Sequence, residues 1–222
     1  MSFGIRLQNI YDKLLIYYGN QNWWPADSRL ECALGAILTQ NTSWKNVEKA
    51  IKNIKAQMDI TTENLTLIST NELSELIKPS GFYKQKAARV KRLINFINEN
   101  YGGEIENMKH EDCSTIRRRL LTINGIGPET ADCILLYALD KPVFVIDRYT
   151  YRLLYRHGMV EKETDYTEMQ KIFMDSVERE TEVYGEYHAL IVEVGKNHCR
   201  KRANCDGCPI DFDSHKLSDE II

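Results

Sequence analysis

No apolar run in these 222 residues approaches the roughly 20 needed to span a bilayer. The opening stretch, MSFGIRLQNIYDKLL, is amphipathic and carries neither the apolar segment nor the small-residue cleavage site of a secretion signal. Repeats and low-complexity linkers are absent, and at 43% hydrophobic and 27% charged residues the chain is neither disordered nor fibrous. Six cysteines without a secretion signal read as thiols or metal ligands, not as a disulfide framework. The expectation is a cytoplasmic globular chain, either one large domain or two small lobes, with no membrane partner. Positive charge is lacking too. Lys and Arg number 29 against 32 Asp and Glu, a net −3 that read globally argues against nucleic acid.

The distribution of charge reverses that inference. Residues 159–187 hold nine acids and three bases, and residues 211–222 hold four acids and one base. Setting those segments aside leaves +6 on the rest of the chain. The bases there cluster as Lys84, Lys86, Arg89, Lys91 and Arg92; Arg117, Arg118 and Arg119; Arg148, Arg152 and Arg156; and Lys196, Arg200, Lys201 and Arg202. Local clusters, not net charge, attract a phosphate backbone, although each could equally be a solvated helix face.

Hydrophobic periodicity is helical almost throughout. Leu7, Ile10, Tyr11 and Leu14 share a face, as do Leu30, Ala33, Leu34, Ile37 and Leu38. Ser28 with Glu31 reads as a capping box, and Ser114 as the cap of a short helix through Leu121. Further helices are expected at 47–54, 73–77, 90–97, 165–181 and 186–197. Only Val143–Ile146 looks β-prone, and four residues with no hairpin partner suit a buried extended connection. The expected fold is all-α.

Two segments carry chemistry. In residues 120–132 a helix stops, Gly125-Ile126-Gly127 turns, and Pro128 opens a second helix. The exposed N–H groups of such a turn, with Thr130 beside them, suit a phosphate. Alone, the pattern could be a plain helical hairpin. Then Val143-Phe144-Val145-Ile146 delivers one carboxylate, Asp147, to the start of an amphipathic helix that ends near Gly158. From spacing alone Asp147 is an N-cap.

Together these segments resemble the helix-hairpin-helix DNA glycosylases, the superfamily of endonuclease III. The resemblance extends to Ala36-Ile-Leu-Thr-Gln-Asn-Thr42 and to Ile77-Lys-Pro-Ser-Gly-Phe-Tyr-Lys-Gln-Lys-Ala-Ala-Arg89, and covers about residues 28–208 in family order. It implies two helical lobes, 28–138 with the hairpin and 1–27 plus 139–222 with the aspartate and cysteine loops, and a cleft between them. It further implies that Asp147 is catalytic, that Gln40 fills the gap left by a flipped base, and that Gly125, Gly127 and Thr130 hold DNA phosphates. In members that also cleave the strand, a lysine of the second hairpin helix forms a Schiff base. Glu129 stands at that position, and a carboxylate cannot do so. The resemblance therefore points to a monofunctional glycosylase acting on double-stranded DNA as a monomer near the nucleoid. Trp23-Trp24-Pro25 and Trp44 look most like the 3-methyladenine glycosylase III branch, in which aromatics stack on the methylated base. Trp24 and Trp44, with Glu129, are the candidate base pocket. A bifunctional enzyme on oxidised pyrimidines, a catalytically inactive DNA-binding protein and a helical interaction protein are the alternatives.

Cys199, Cys205 and Cys208 form Cys-x5-Cys-x2-Cys, whereas Cys32, Cys113 and Cys133 are isolated core thiols. The family's C-terminal loop holds a [4Fe–4S] cluster on four cysteines. Here the first gap is one residue short and the fourth position is Ser214, so the last ligand is left among Ser214, His215, Asp211, Asp213 and an exogenous group. Zinc on Cys3His with His215, or a metal-free loop, are the other readings.

Overall fold

Helix-forming stretches with polar caps make up most of the described chain. The structure, a computed structural model, describes residues 3–216; Met1, Ser2 and residues 217–222, including Asp219 and Glu220 of the acidic tail, lie outside them. The helices are α1 (Phe3–Tyr18), α2 (Arg29–Leu38), α3 (Trp44–Gln57), α4 (Thr62–Leu67), α5 (Thr70–Leu76), α6 (Tyr83–Tyr101), α7 (Cys113–Leu120), α8 (Pro128–Cys133), α9 (Arg148–Arg156), α10 (Tyr166–Met174) and α11 (Thr181–Asn197). No strand occurs among the described residues.

The chain divides into two compact units, Trp24–Lys141 and the segments on either side of it. In the central unit α2 is buried along nearly its full length, and Leu93, Ile94 and Ile97 of α6 belong to the same core. Ser28 caps α2 by accepting from the Glu31 N–H, but the Glu31 carboxylate pairs with Lys55 at 2.6 Å. Only half of the expected capping box forms, because an ammonium outcompetes a backbone N–H for that carboxylate. Asp112, not Ser114, caps α7: its carboxylate accepts from the Thr115 N–H, and the Ser114 hydroxyl donates to that same carboxylate. Helix α4 is too short for a periodic signature and was not expected.

The outer unit packs α1, α9, α10 and α11. Phe144, buried on the extended connection, stacks on Phe173 at 3.9 Å and meets Tyr184 and Tyr187 edge-on. Val143–Ile146 is extended and buried, as expected, with its backbone satisfied by side chains: Gln170 donates to the Phe144 carbonyl and Ile146 N–H donates to the Tyr166 hydroxyl. Gly195 has no side chain because the Tyr149 ring lies there; a Cβ would come 2.3 Å from it. That close approach docks α9 on α11 and so places Asp147, the residue before α9, beside α11.

Candidate active site

Asp147 is the N-cap of α9. Its Oδ1 accepts from the Thr150 N–H at 2.7 Å and the Thr150 hydroxyl at 2.9 Å. Those bonds occupy one oxygen; Oδ2 lies 3.6 Å from Nε2 of His188 on α11. The side chain is only 12% exposed. Burial pushes its pKa up, but His188 and the two Thr150 donors outweigh burial and hold the carboxyl below its usual range. The apolar run before it does the positioning: four consecutive buried residues fix where the chain re-emerges. An ionised carboxylate at the edge of solvent can stabilise a cationic sugar or take a proton from water.

His188 was not foreseen, because an isolated histidine within an apolar helix face carries no local signal. Trp23 tilts against its ring at 5.6 Å and 38°, and the Lys196 ammonium lies 5.8 Å from the Trp23 ring centroid. Trp23, Asp147, His188 and Lys196 all belong to the outer unit.

In the central unit α7 ends at Leu120 and α8 begins at Pro128, as the hairpin pattern predicts. Gly125 has φ +96°, and a Cβ there would meet the Arg89 side chain at 2.6 Å. Gly127 is different: its φ is −93°, and the space beside it is open. Gln40 reaches the same turn. Its Nε2 donates to the Gly125 carbonyl at 3.1 Å and to the Thr130 hydroxyl at 2.8 Å, while its Oε1 accepts from Arg89. Gln40 thus braces the hairpin here, and entering a DNA gap would require it to leave these partners. Thr130 is buried, so its hydroxyl serves Gln40. Glu129, in the first turn of α8, is exposed.

Trp24 and Trp44 are brought together, edge to face at 5.0 Å and 84°, and Tyr137 lies 5.1 Å from Trp24. Tyr137 sits in a π-helical turn, Ile134–Ala138, that continues α8. Gly35 admits the Trp24 indole, whose Nε1 would lie 3.0 Å from a Cβ at that position. A cavity of about 260 Å³ opens beside the two indoles, with Glu31, Glu48, Lys52 and Lys55 among its walls.

Much of the basic charge is internal. Lys86 is 1% exposed and donates to the carbonyls of Leu38 and Ser80. Lys91 donates to three carbonyls at the end of α4, Leu65, Thr66 and Ile68. Arg117 pairs with buried Asp132, and Arg119 with Glu111. These side chains already serve acceptors within the protein, so the clusters contribute fewer free phosphate-facing charges than the sequence suggests. Lys84, Arg92, Arg118, Arg148, Arg200, Lys201 and Arg202 remain exposed.

The cysteine loop is held by α9. Arg152 donates to the Cys199 and Gly195 carbonyls; Arg156 donates to Cys199 Sγ at 3.2 Å and to the carbonyls of Arg200 and Lys201. Cys199, Cys205, Cys208, Asp211 and His215 line one narrow cavity. Burial and the neighbouring cysteines push the Cys208 thiol up to about 11. Among the four candidate final ligands, Asp213 is committed elsewhere: it accepts from Arg6 through both oxygens and contacts His157 Nδ1 at 2.8 Å. Ser214 is exposed and does not line the cavity. His215 Nδ1 donates to the Asp213 carbonyl, leaving Nε2 for the cavity side, and its ligand atom, that of Cys205 and that of Asp211 all lie within 4.8 Å of one another. In donor type three thiols and an imidazole suit an iron–sulfur cluster or zinc, but the donor atoms that converge within 4.8 Å are those of Cys205, Asp211 and His215, so Asp211 stands beside His215 as a final ligand.

A profile described as HhH-GPD superfamily base excision DNA repair protein matches residues 34–179. A Methanocaldococcus jannaschii protein named as a DNA repair glycosylase is 51% identical, covering 92% of this chain and 93% of its own. The crystal structure of an H. pylori 3-methyladenine DNA glycosylase bound to 1,N6-ethenoadenine superposes with a TM-score of 0.76 at 32% identity, over 89% of this chain and 98% of that one. A trapped endonuclease III–DNA covalent intermediate has the same fold, with a TM-score of 0.80 at 20% identity over 95% of this chain and 94% of its own.

Proposed function

The chain belongs to the HhH-GPD superfamily of base excision DNA repair proteins and is a DNA N-glycosylase, and from that premise we propose that it is monofunctional and releases alkylated purines such as 3-methyladenine. The observation that carries this reading is that the second hairpin helix offers an exposed carboxylate, Glu129, where a strand-cleaving relative has its lysine, while the outer unit by itself holds a largely buried carboxylate, Asp147, kept ionised by its neighbours.

In this reading the protein binds damaged double-stranded DNA as a monomer in the cytoplasm, at the nucleoid. Backbone amides around Gly125 and Gly127 and the exposed bases hold phosphates, and Gln40 enters the vacated gap after releasing the hairpin. The flipped base leaves with the electron pair of the N-glycosidic bond. Asp147 stabilises the cationic sugar and takes a proton from the water whose oxygen bonds to C1′. An alkylated purine is already electron-poor, so it is a good leaving group and is attracted to the faces of Trp24 and Trp44. The H. pylori relative at 32% identity supports the alkylpurine assignment.

Cys199, Cys205 and Cys208, completed by His215 or Asp211, would hold a [4Fe–4S] cluster or a zinc ion. Its contribution would be structural, stiffening the loop that presents Arg200, Lys201 and Arg202. Base release from a panel of methylated, oxidised and deaminated duplexes tests the substrate. Release of 3-methyladenine is expected; release of oxidised pyrimidines alone would overturn the assignment.

A further inference from the structure

Asp147 has one oxygen that is fully engaged and one that is not. Thr150 supplies two donors to Oδ1, and both come from the helix that Asp147 itself caps. They set the position of the carboxylate but leave the direction and charge of Oδ2 to whatever stands across from it. Across from it stands His188, 3.6 Å away on α11, nearly buried. This distance is longer than a hydrogen bond, and a shift of half an ångström closes it; catalytic contacts are commonly longer before substrate arrives.

His188 is in turn restrained. Trp23 lies against its ring, and the Lys196 ammonium lies over the same indole. Helix α11 carries both His188 and Lys196, and Gly195 keeps that helix hard against Tyr149 of α9. Thr150 and Trp23 thus hold the imidazole–carboxylate pair directly, one on each partner, and Lys196 and Tyr149 back them at one remove. Nothing in the ordinary capping of α9 calls for the other three, since Thr150 alone satisfies the cap.

We propose that His188 is the positioning residue of the excision step, aiming Asp147 Oδ2 at the anomeric carbon, with Trp23 packed against the imidazole and Lys196 over Trp23; this rests on the reading of Asp147 as the catalytic carboxylate. With a proton on Nε2 the ring donates to Oδ2 and stops the carboxylate from rotating about its Thr150 anchor. The carboxylate stays ionised and directed while the sugar becomes cationic. Nε2–H takes one lone pair of Oδ2 as the 3.6 Å gap closes, and the second is left to accept a proton from water.

The experiment uses the full chain and the lesion it releases fastest from the panel above. Single-turnover release and affinity for a duplex bearing a tetrahydrofuran abasic analogue are measured for His188→Ala, His188→Gln, Asp147→Asn and the Asp147→Asn/His188→Ala double variant. His188→Ala is expected to slow release by about 10²-fold, the cost of a misaimed group, with affinity for the abasic analogue within about threefold of wild type. His188→Gln, whose amide can donate, recovers most of the rate. In the Asp147→Asn background, His188→Ala adds no further loss, because the two act as one unit. Unchanged release in His188→Ala overturns the proposal. So does a loss that Gln does not rescue and that recurs in full beside Asp147→Asn, which marks a structural role. Full activity in Asp147→Asn alone sinks the parent reading instead, and melting temperatures separate either result from misfolding.

Discussion

The side chain of Arg89 occupies the space that a Cβ at Gly125 would need, with contacts of 2.6 Å. Gly125 is therefore required twice, for φ +96° and for the approach of Arg89, which also donates to Gln40. Gly125→Ala would strain the turn by about 1–3 kcal/mol and displace Arg89 from Gln40. A lower melting temperature and a weaker, less salt-sensitive affinity for duplex DNA are expected, measured by binding across a salt series.

Asp147 titrates below the usual carboxylate range, so it is ionised throughout neutral pH. A depressed carboxyl stabilises the fold fully above its unfolded pKa of about 3.9, and that contribution disappears as pH falls through the folded value. Excision should be flat with respect to this group from neutrality down to about pH 5 and lose it only in stronger acid. Asp147→Asn should cost about 10²–10³ in single-turnover rate; Asn still caps the helix, so the melting temperature should fall only by the part of the stability that depends on the carboxylate's charge.

Glu129 is exposed in the first turn of α8. Borohydride treatment of the wild-type reaction should trap no protein–DNA adduct. Glu129→Lys should yield one on an abasic duplex, visible as a shifted band on a denaturing gel. A wild-type adduct would show that another lysine serves as nucleophile.

Lys86 is a cation inside the central unit, its pKa lowered by burial from 10.5 to about 8. The unfolded chain then binds more protons between those values, so this residue makes stability rise with pH from about 8 to 10.5. Lys86→Met would leave the Leu38 and Ser80 carbonyls without their donor, at about 1–3 kcal/mol each. Urea melts at pH 7 and pH 10 check both statements.

The cysteine loop predicts a metal content. Purified protein should carry iron with sulfide, or zinc, by elemental analysis and visible absorption. Cys205→Ser should lose it, and His215→Ala should lower it, whereas Ser214→Ala should not. Equal metal in the His215 and wild-type proteins would remove His215 from the ligand set.

Much of this protein is legible in local patterns of its sequence. The hairpin at 120–132 is legible because a glycine with positive φ and a proline at a helix start are chemical requirements of adjacent residues. The place of Asp147 is legible for the same reason: an apolar run ends and an N-cap begins. The all-helical composition follows from hydrophobic spacing, which depends only on the periodicity of the helix.

What tertiary structure decided is which of several equivalent side chains meets which partner. Lys84 and Lys86 look alike in sequence, yet one is exposed and the other caps two buried carbonyls. Asp211 and Asp213 are both candidate ligands in the same loop, and only the latter is claimed by Arg6 and His157. Trp23 and Trp24 are neighbours, but the first lies against His188 and the second against Trp44. His188 itself acquires meaning only when α11 docks on α9. The sequence alone determined the longer helices, the hairpin and the position of the carboxylate, because each is set by interactions a few residues apart. The partners were decided by packing between segments distant in the chain, where burial makes an unmatched charge or carbonyl too costly to leave alone.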